Sequence, residues 1–166
     1  MTITSEELAF VFPGQGSQSV GMLRALSEAS PEVEATFGEA SQVLGFDLWR
    51  LVSEGPAEEL NRTENTQPAM LAAGVAAWRV WLGESSVRPA CMAGHSLGEY
   101  TALVCAGRLA FADAIGLVRM RGKLMQEAVP EGVGAMAAIL GLTDEQVAHL
   151  CNELSTPDSI VAAANF

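Results

Sequence analysis

The chain has 166 residues, 49% of them hydrophobic and 17% charged, which is enough apolar content for a folded core and excludes a wholly disordered chain. Twenty acids against nine bases give a formal net charge of −11, which excludes a general nucleic-acid binder and a protein bound to anionic membrane, since both partners would be repelled. No apolar run is long enough to span a bilayer, and MTITSEEL carries acids where an export signal would carry bases, so a cytoplasmic protein is expected.

Taken in chain order, Leu8 to Phe12 (LAFVF) reads as a strand ending at Pro13, followed by the tight glycine-rich loop GQGSQ. A helix is expected near Gly21 to Leu26. Another follows to about Leu44, with Ser30 as its N-cap and Pro31 in its first turn. The acid-rich stretch Glu54 to Glu64 reads as a surface helix and loop. Pro68 to Leu82 is apolar apart from Arg79 and reads as a buried helix. The run ACMAG is a strand that stops at His95-Ser96, a helix from Leu97 ends near Gly107, and Asp113 is expected to cap the next, which reaches about Ala128. After Pro130 the character changes. GVGAMAAILGL reads as a strand, TDEQVAHLCNEL as a helix with a capping box from Thr143 to Gln146, and SIVAAANF as a second strand. Because a lone β-α-β unit leaves sheet edges and an apolar face uncovered, the fold is expected to continue past Phe166.

Cys91, Cys105 and Cys151 are odd in number and lack metal-ligand spacing, so reduced, buried thiols are expected and no metal site. From Arg79 to Lys123 the balance reverses, with six bases (Arg79, Arg88, Arg108, Arg119, Arg121, Lys123) against three acids (Glu84, Glu99, Asp113). Either these are chance solvated charges, or the segment faces an anionic ligand.

Gly94-His95-Ser96-Leu97-Gly98 matches G-x-S-x-G between a predicted strand and a predicted helix. Glycines two residues either side of the serine suit a strained turn in which strand and helix pass too closely for a Cβ. The serine then projects at a helix N-terminus, and the Leu97 amide can point at an oxyanion. Gly14-Gln15-Gly16 lacks the third glycine of a dinucleotide fingerprint and the lysine of a phosphate loop. It is either a plain turn or a place where the Gln15 amide supplies the second oxyanion donor. Arg121 falls by helical spacing within the apolar set Ala114, Leu117, Val118, Leu124, Met125 and Ala128, whereas Arg119 and Lys123 read as solvated. An arginine on such a stripe needs an anion, either an internal Asp or Glu or a substrate carboxylate.

At FVFPGQGSQ, TQPAM from Thr66, GHSLGEY and RMRGKLMQEAVPEGVGAMAAILGL the sequence resembles the bacterial malonyl-CoA:acyl carrier protein transacylases. Through them it resembles the acyltransferase domains of fatty-acid and polyketide synthases. The resemblance implies an α/β fold, with an α/β-hydrolase-like large subdomain over residues 1–129 and the start of a ferredoxin-like small subdomain over 130–166. It implies that Ser96 is acylated by malonyl-CoA, that the Gln15 and Leu97 amides form the oxyanion hole, and that Arg121 clamps the malonyl carboxylate. It also puts His95 near the acyl group, unless its ring is only a packing element, and Gln67 in the pocket lining. The implied reaction is ping-pong transfer of malonyl to the phosphopantetheine thiol of acyl carrier protein in fatty-acid biosynthesis, with no cofactor or metal. The carrier protein is acidic in this family, so the basic segment would steer it. The family's general base is a histidine beyond Phe166, with a glutamine later still, so these 166 residues are expected to hold an incomplete site and to be weak or inactive alone. His149, with Glu145 and Glu153 on the polar side of its helix, reads as a solvated surface residue. The competing readings are a serine esterase using Ser96, Asp144 and His149 in that order, a fragment of a polyketide-synthase acyltransferase, and a non-catalytic module that binds carrier protein.

Overall fold

Strand β1 (Ala9–Phe12) lies parallel to β2 (Cys91–Gly94), with Ala9 opposite Cys91 and Phe12 opposite Gly94. Both strands therefore end at the same edge, so the glycine-rich loop after β1 and the serine turn after β2 emerge side by side, where ligands of parallel sheets gather. In this computed structural model residues 7–129 and 133–165 are described, and the chain divides into two compact units, one up to Pro130 and one from Glu131.

In the first unit the helices are α1 (Arg24–Ala29), α2 (Glu32–Leu44), α3 (Leu48–Glu54), α4 (Ala57–Asn61), α5 (Thr63–Glu84), α6 (Leu97–Cys105) and α7 (Phe111–Ala128). The sequence DLWRLVSE forms α3, which the sequence reading passed over although Asp47 caps it, its carboxylate accepting from the Arg50 amide at 2.9 Å. Helix α5 is the hub. Its buried residues go almost right round it, as the near-continuous apolar run requires, and it packs on α2, α6 and α7. Phe37, Leu48, Leu97, Ile115 and Val118 close the core around its own Leu71. On the sheet, Phe10 meets the rings of Trp78 and Trp81 edge-on at 5.2 and 5.4 Å, while Val11 points to the opposite face and stays exposed.

Several helix starts differ from expectation. Pro31, not Ser30, is the N-cap of α2, and Ser30 contributes only its backbone carbonyl, to Val33 N–H. Asp113 lies in the first turn of α7 rather than at its cap, which is Ala110. Helix α5 begins five residues before Pro68, because Asn65 Nδ2 and Thr66 Oγ1 donate to the carbonyls of Glu59 and Leu60 and tie its first turn to α4. The missing Pro68 N–H then forfeits one bond close to the helix start, a tolerable loss.

In the second unit α8 (Asp144–Leu154) carries the expected capping box: Gln146 N–H donates to Thr143 Oγ1 at 3.3 Å and Thr143 N–H to Gln146 Oε1 at 2.9 Å. The flanking strands are not there. Among the described residues 133–142 and 156–165 there is only an isolated bridge between Thr156 and Ser159, so the expected β-α-β unit is corrected to one helix between extended segments. Gly132 and Phe166, the ends of those expected strands, fall outside the described residues. A strand exists only through a partner's ladder, and apolar alternation cannot supply one. Val133, Met136, Leu140 and Ile160 are accordingly 75%, 80%, 90% and 83% exposed.

All three cysteines are free, but the expectation of burial fails for Cys91, which is exposed, while Cys105 and Cys151 are half-buried. No helix among the described residues is long and apolar enough to cross a membrane.

Candidate active site

Ser96 has φ 53° and ψ −108°, a left-handed conformation that a non-glycine residue adopts only when its surroundings impose it. The surroundings are backbone. A Cβ on Gly98 would lie 2.9 Å from the Phe12 carbonyl carbon and closer still to its oxygen, and one on Gly94 would run into the Gly98 carbonyl. The two glycines thus let α6 cross the ends of both strands at backbone contact. Gly98 N–H donates to the His95 carbonyl at 2.8 Å and Glu99 N–H to the Ser96 carbonyl at 3.2 Å, which closes the turn. Ser96 is exposed at its apex, and the Leu97 amide, the first of α6, has no carbonyl within its own helix to bond.

The glycine-rich loop lies against this turn. A Cβ on Gly14 would sit 3.1 Å from the His95 carbonyl oxygen and 3.5 Å from His95 Nδ1, so only glycine fits easily there. The Gln15 side chain turns to α5, with Nε2 donating to Thr63 Oγ1 at 3.2 Å, and Gln18 ties the loop to Asn61 at 2.9 Å. Gln15 can therefore serve Ser96 through its backbone rather than its side chain. His95 is exposed beside the loop.

Arg121 reaches into the same place. Its Nη2 donates to Ser96 Oγ at 2.9 Å and its Nη1 to Gln67 Oε1 at 2.8 Å, with the guanidinium 5.7 Å from the centre of the Tyr100 ring. Gln67 is fully buried and its Nε2 donates to Met125 Sδ at 3.2 Å. The expected stripe needs correction. The buried side of α7 is Ala114, Ile115, Val118 and Gly122, whereas Leu117, Leu124 and Met125 are exposed, so Arg121 sits at the border of the buried face. Gly122 sets this rotation. A Cβ there would come within 2.7 Å of Thr63 O and Glu64 Cα, so α7 meets the start of α5 at backbone distance and presents Arg121 to Gln67.

Among the described residues no carboxylate lies within ion-pair distance of Arg121. Its neighbours differ. Arg79 pairs with Glu39 at 2.7 Å and lies 3.8 Å from Glu32; its hydrogen bond to Glu39 holds that carboxyl below the usual range. Arg119, expected to be solvated, instead lies 3.6 Å from Glu64 and 5.0 Å from the Phe46 ring centre. Two of the six bases in the basic segment are thus already matched internally. Cys105 is no competitor as nucleophile, since burial pushes its thiol up to about 12 despite the nearby Arg79 charge. Among the described residues no cluster of His, Cys, Asp and Glu could hold a metal. In the second unit His149 is exposed, 3.3 Å from Glu153 on its own helix, as its polar-side position implied.

Sequence reasoning missed Tyr100, Thr63 and Met125 as partners of the site residues. Tyr100 carried a usable signal, four residues after Ser96 and so on the same side of α6. Thr63 and Met125 carried none, because their roles depend on how α5 and α7 pack.

A family model described as an acyl transferase domain matches residues 9–165. The chain belongs to this family. Malonyl CoA-acyl carrier protein transacylase of Salmonella typhimurium is 61% identical to this acyl transferase chain over 160 residues, 96% of the chain and 52% of the relative. The crystal structure of malonyl-CoA:acyl carrier protein transacylase from Xanthomonas oryzae pv. oryzae superposes with a TM-score of 0.87 at 61% identity, over 91% of this chain and 48% of that one. A malonyl-transacylase in complex with a type II polyketide-synthase acyl-carrier protein gives 0.86 at 63% identity, over 88% of this chain and 47% of that one. The chain spans about half the length of the curated relatives it matches. The α/β architecture around Ser96 is thus the acyl transferase family's own.

Proposed function

We propose that the protein transfers a malonyl group from malonyl-CoA to the phosphopantetheine thiol of acyl carrier protein, as the names of its relatives describe for them, through a malonyl ester on Ser96. The observation that carries this reading is the 2.9 Å contact between Ser96 Oγ and an arginine with no carboxylate of its own among the described residues. A nucleophile and an unmatched, half-buried guanidinium at that distance suit a short acyl group that ends in a carboxylate.

In the proposed sequence Ser96 Oγ attacks the thioester carbonyl, losing its proton to a base that the family supplies from a later histidine. The Leu97 and Gln15 amides hold the oxyanion, and the CoA thiol leaves. The carrier protein's thiol then attacks the ester, and Ser96 recovers its proton. Bonds and charges balance without metal or redox cofactor. The same reading makes the first unit an α/β-hydrolase-like body and the second the beginning of a ferredoxin-like one.

The test is intact-protein mass spectrometry of the full-length protein mixed with malonyl-CoA. One malonyl adduct is expected, and none in Ser96→Ala. An adduct that survives in that variant would sink the assignment, and rapid hydrolysis of simple esters without a thiol acceptor would make the protein a serine esterase instead.

A further inference from the structure

Arginine has five N–H donors and no acceptor, so a group that hydrogen-bonds its guanidinium must offer an acceptor atom. At Arg121 Nη2 reaches the Ser96 hydroxyl at 2.9 Å, and the oxygen that anchors the other side of the guanidinium is Oε1 of Gln67, at 2.8 Å from Nη1. The contact also fixes the amide's orientation, because the reverse would turn the Gln67 NH2 toward another donor; Nε2 is left facing Met125 Sδ, a weak acceptor, at 3.2 Å. Gln67 is fully buried, with no polar atom presented to an incoming molecule. It is therefore poorly placed to touch substrate.

The contrast lies in how this molecule holds its other half-buried arginines. Arg79 and Arg119 also touch neutral oxygens, of Thr36 and Asn65, but each has a carboxylate as well: Glu39 and Glu32 for Arg79, Glu64 for Arg119. A carboxylate restrains the guanidinium and cancels its charge together. An amide oxygen restrains it and leaves the charge whole, so a later anion meets a cation that is already oriented.

We infer that Gln67 is a positioning residue that sets acyl specificity: it holds Arg121 beside Ser96 through a neutral oxygen, so that the arginine's charge stays available for a substrate carboxylate. This rests on the reading of Arg121 as the ligand of that carboxylate. It also explains the fit between α5 and α7, since the close approach at Gly122 brings Arg121 within reach of Gln67.

The experiment is equilibrium binding, by titration calorimetry, of malonyl-CoA and acetyl-CoA to the full-length protein carrying Ser96→Ala, which cannot be acylated. Gln67→Glu keeps the side chain's shape but supplies an internal counter-ion. It should cut the preference for malonyl-CoA by about tenfold or more and leave acetyl-CoA binding unchanged. Gln67→Met removes the oxygen without adding charge and should lower the same preference by less. A Gln67→Glu protein that keeps the preference, or that loses both ligands equally, overturns the inference, because a merely structural glutamine would not discriminate between them. If Gln67→Glu does not melt cooperatively, Gln67→Met decides by the same criterion. Absence of any malonyl preference in the Ser96→Ala parent would instead overturn the reading of Arg121, and this inference with it.

Discussion

The two units treat similar apolar content in opposite ways. Between residues 7 and 129 the long helices α2 and α7 each bury one apolar side against a core centred on α5, and α7 stands without any side-chain cap because packing holds it. Between 133 and 165 no described residue is buried, yet α8 has a complete capping box, and Leu150 and Leu154 on it are exposed. A helix satisfies its backbone within itself and needs only local signals, whereas a strand and a core need partners from elsewhere in the chain. Every described group that converges on Ser96 accordingly belongs to the first unit, where neighbours rigid enough to hold a left-handed serine exist.

The sharpest way to break this comparison is to truncate one leucine in each unit. Leu71, fully buried at the middle of α5, should cost about 2–5 kcal/mol as Leu71→Ala, through lost burial and the cavity left behind. Leu140, almost fully exposed, should change stability by less than about 0.5 kcal/mol as Leu140→Ala. Urea unfolding of the two variants checks both values. Similar losses would mean that Leu140 is covered in solution and that the units do not differ as described.

Most of the first unit was legible in its sequence because its signals are local. The strand-turn-helix around Ser96 follows from glycines at fixed offsets, and the buried α5 from an apolar run too continuous for a surface helix. The serine, the arginine and the glycine-rich loop could each be named from such patterns. Their meeting could not, since it depends on the parallel register of β1 with β2 and on the rotation of α7 set at Gly122. That rotation also makes the buried stripe around Arg121 narrower than its spacing implies: spacing gives an apolar arc, but only the backbone contact with α5 decides which part of it is covered. The error over the second unit has the opposite origin. GVGAMAAILGL and SIVAAANF have strand-like composition, but pairing is not a property of either segment alone.

A smaller effect tests how local α8 is. Thr143→Ala removes the side chain that accepts from Gln146 N–H and should destabilise that helix by about 1 kcal/mol. Amide hydrogen exchange should show faster exchange in residues 144–154 and no change in α5 or α7. A concerted change in both units would show that they unfold together, contrary to the local origin assigned to α8.

The smallest expected effect concerns the ion pairs. Arg79 of α5 grips Glu39 of α2 through two contacts at 2.7 and 3.0 Å, while His149 and Glu153 meet at 3.3 Å within one helix, their side chains 72% and 59% exposed. The Arg79 hydrogen bond lowers the Glu39 carboxyl from its ordinary range. Above that range both folded and unfolded Glu39 are ionised and the pair stabilises the fold fully. As the pH falls through it, the unfolded chain takes up a proton that the folded chain resists, and the contribution is lost on the way down to the folded value. Glu39 is largely exposed, so screening keeps the contribution below about 1 kcal/mol. Glu39→Gln should therefore lower the melting temperature slightly at neutral pH and progressively less under acid conditions. Glu153→Gln should leave it unchanged across the same range. A Glu39→Gln difference that stays constant into acid would mean that the side chain acts by packing rather than by charge, and that Arg79 joins α2 to α5 through its contact with Thr36 instead.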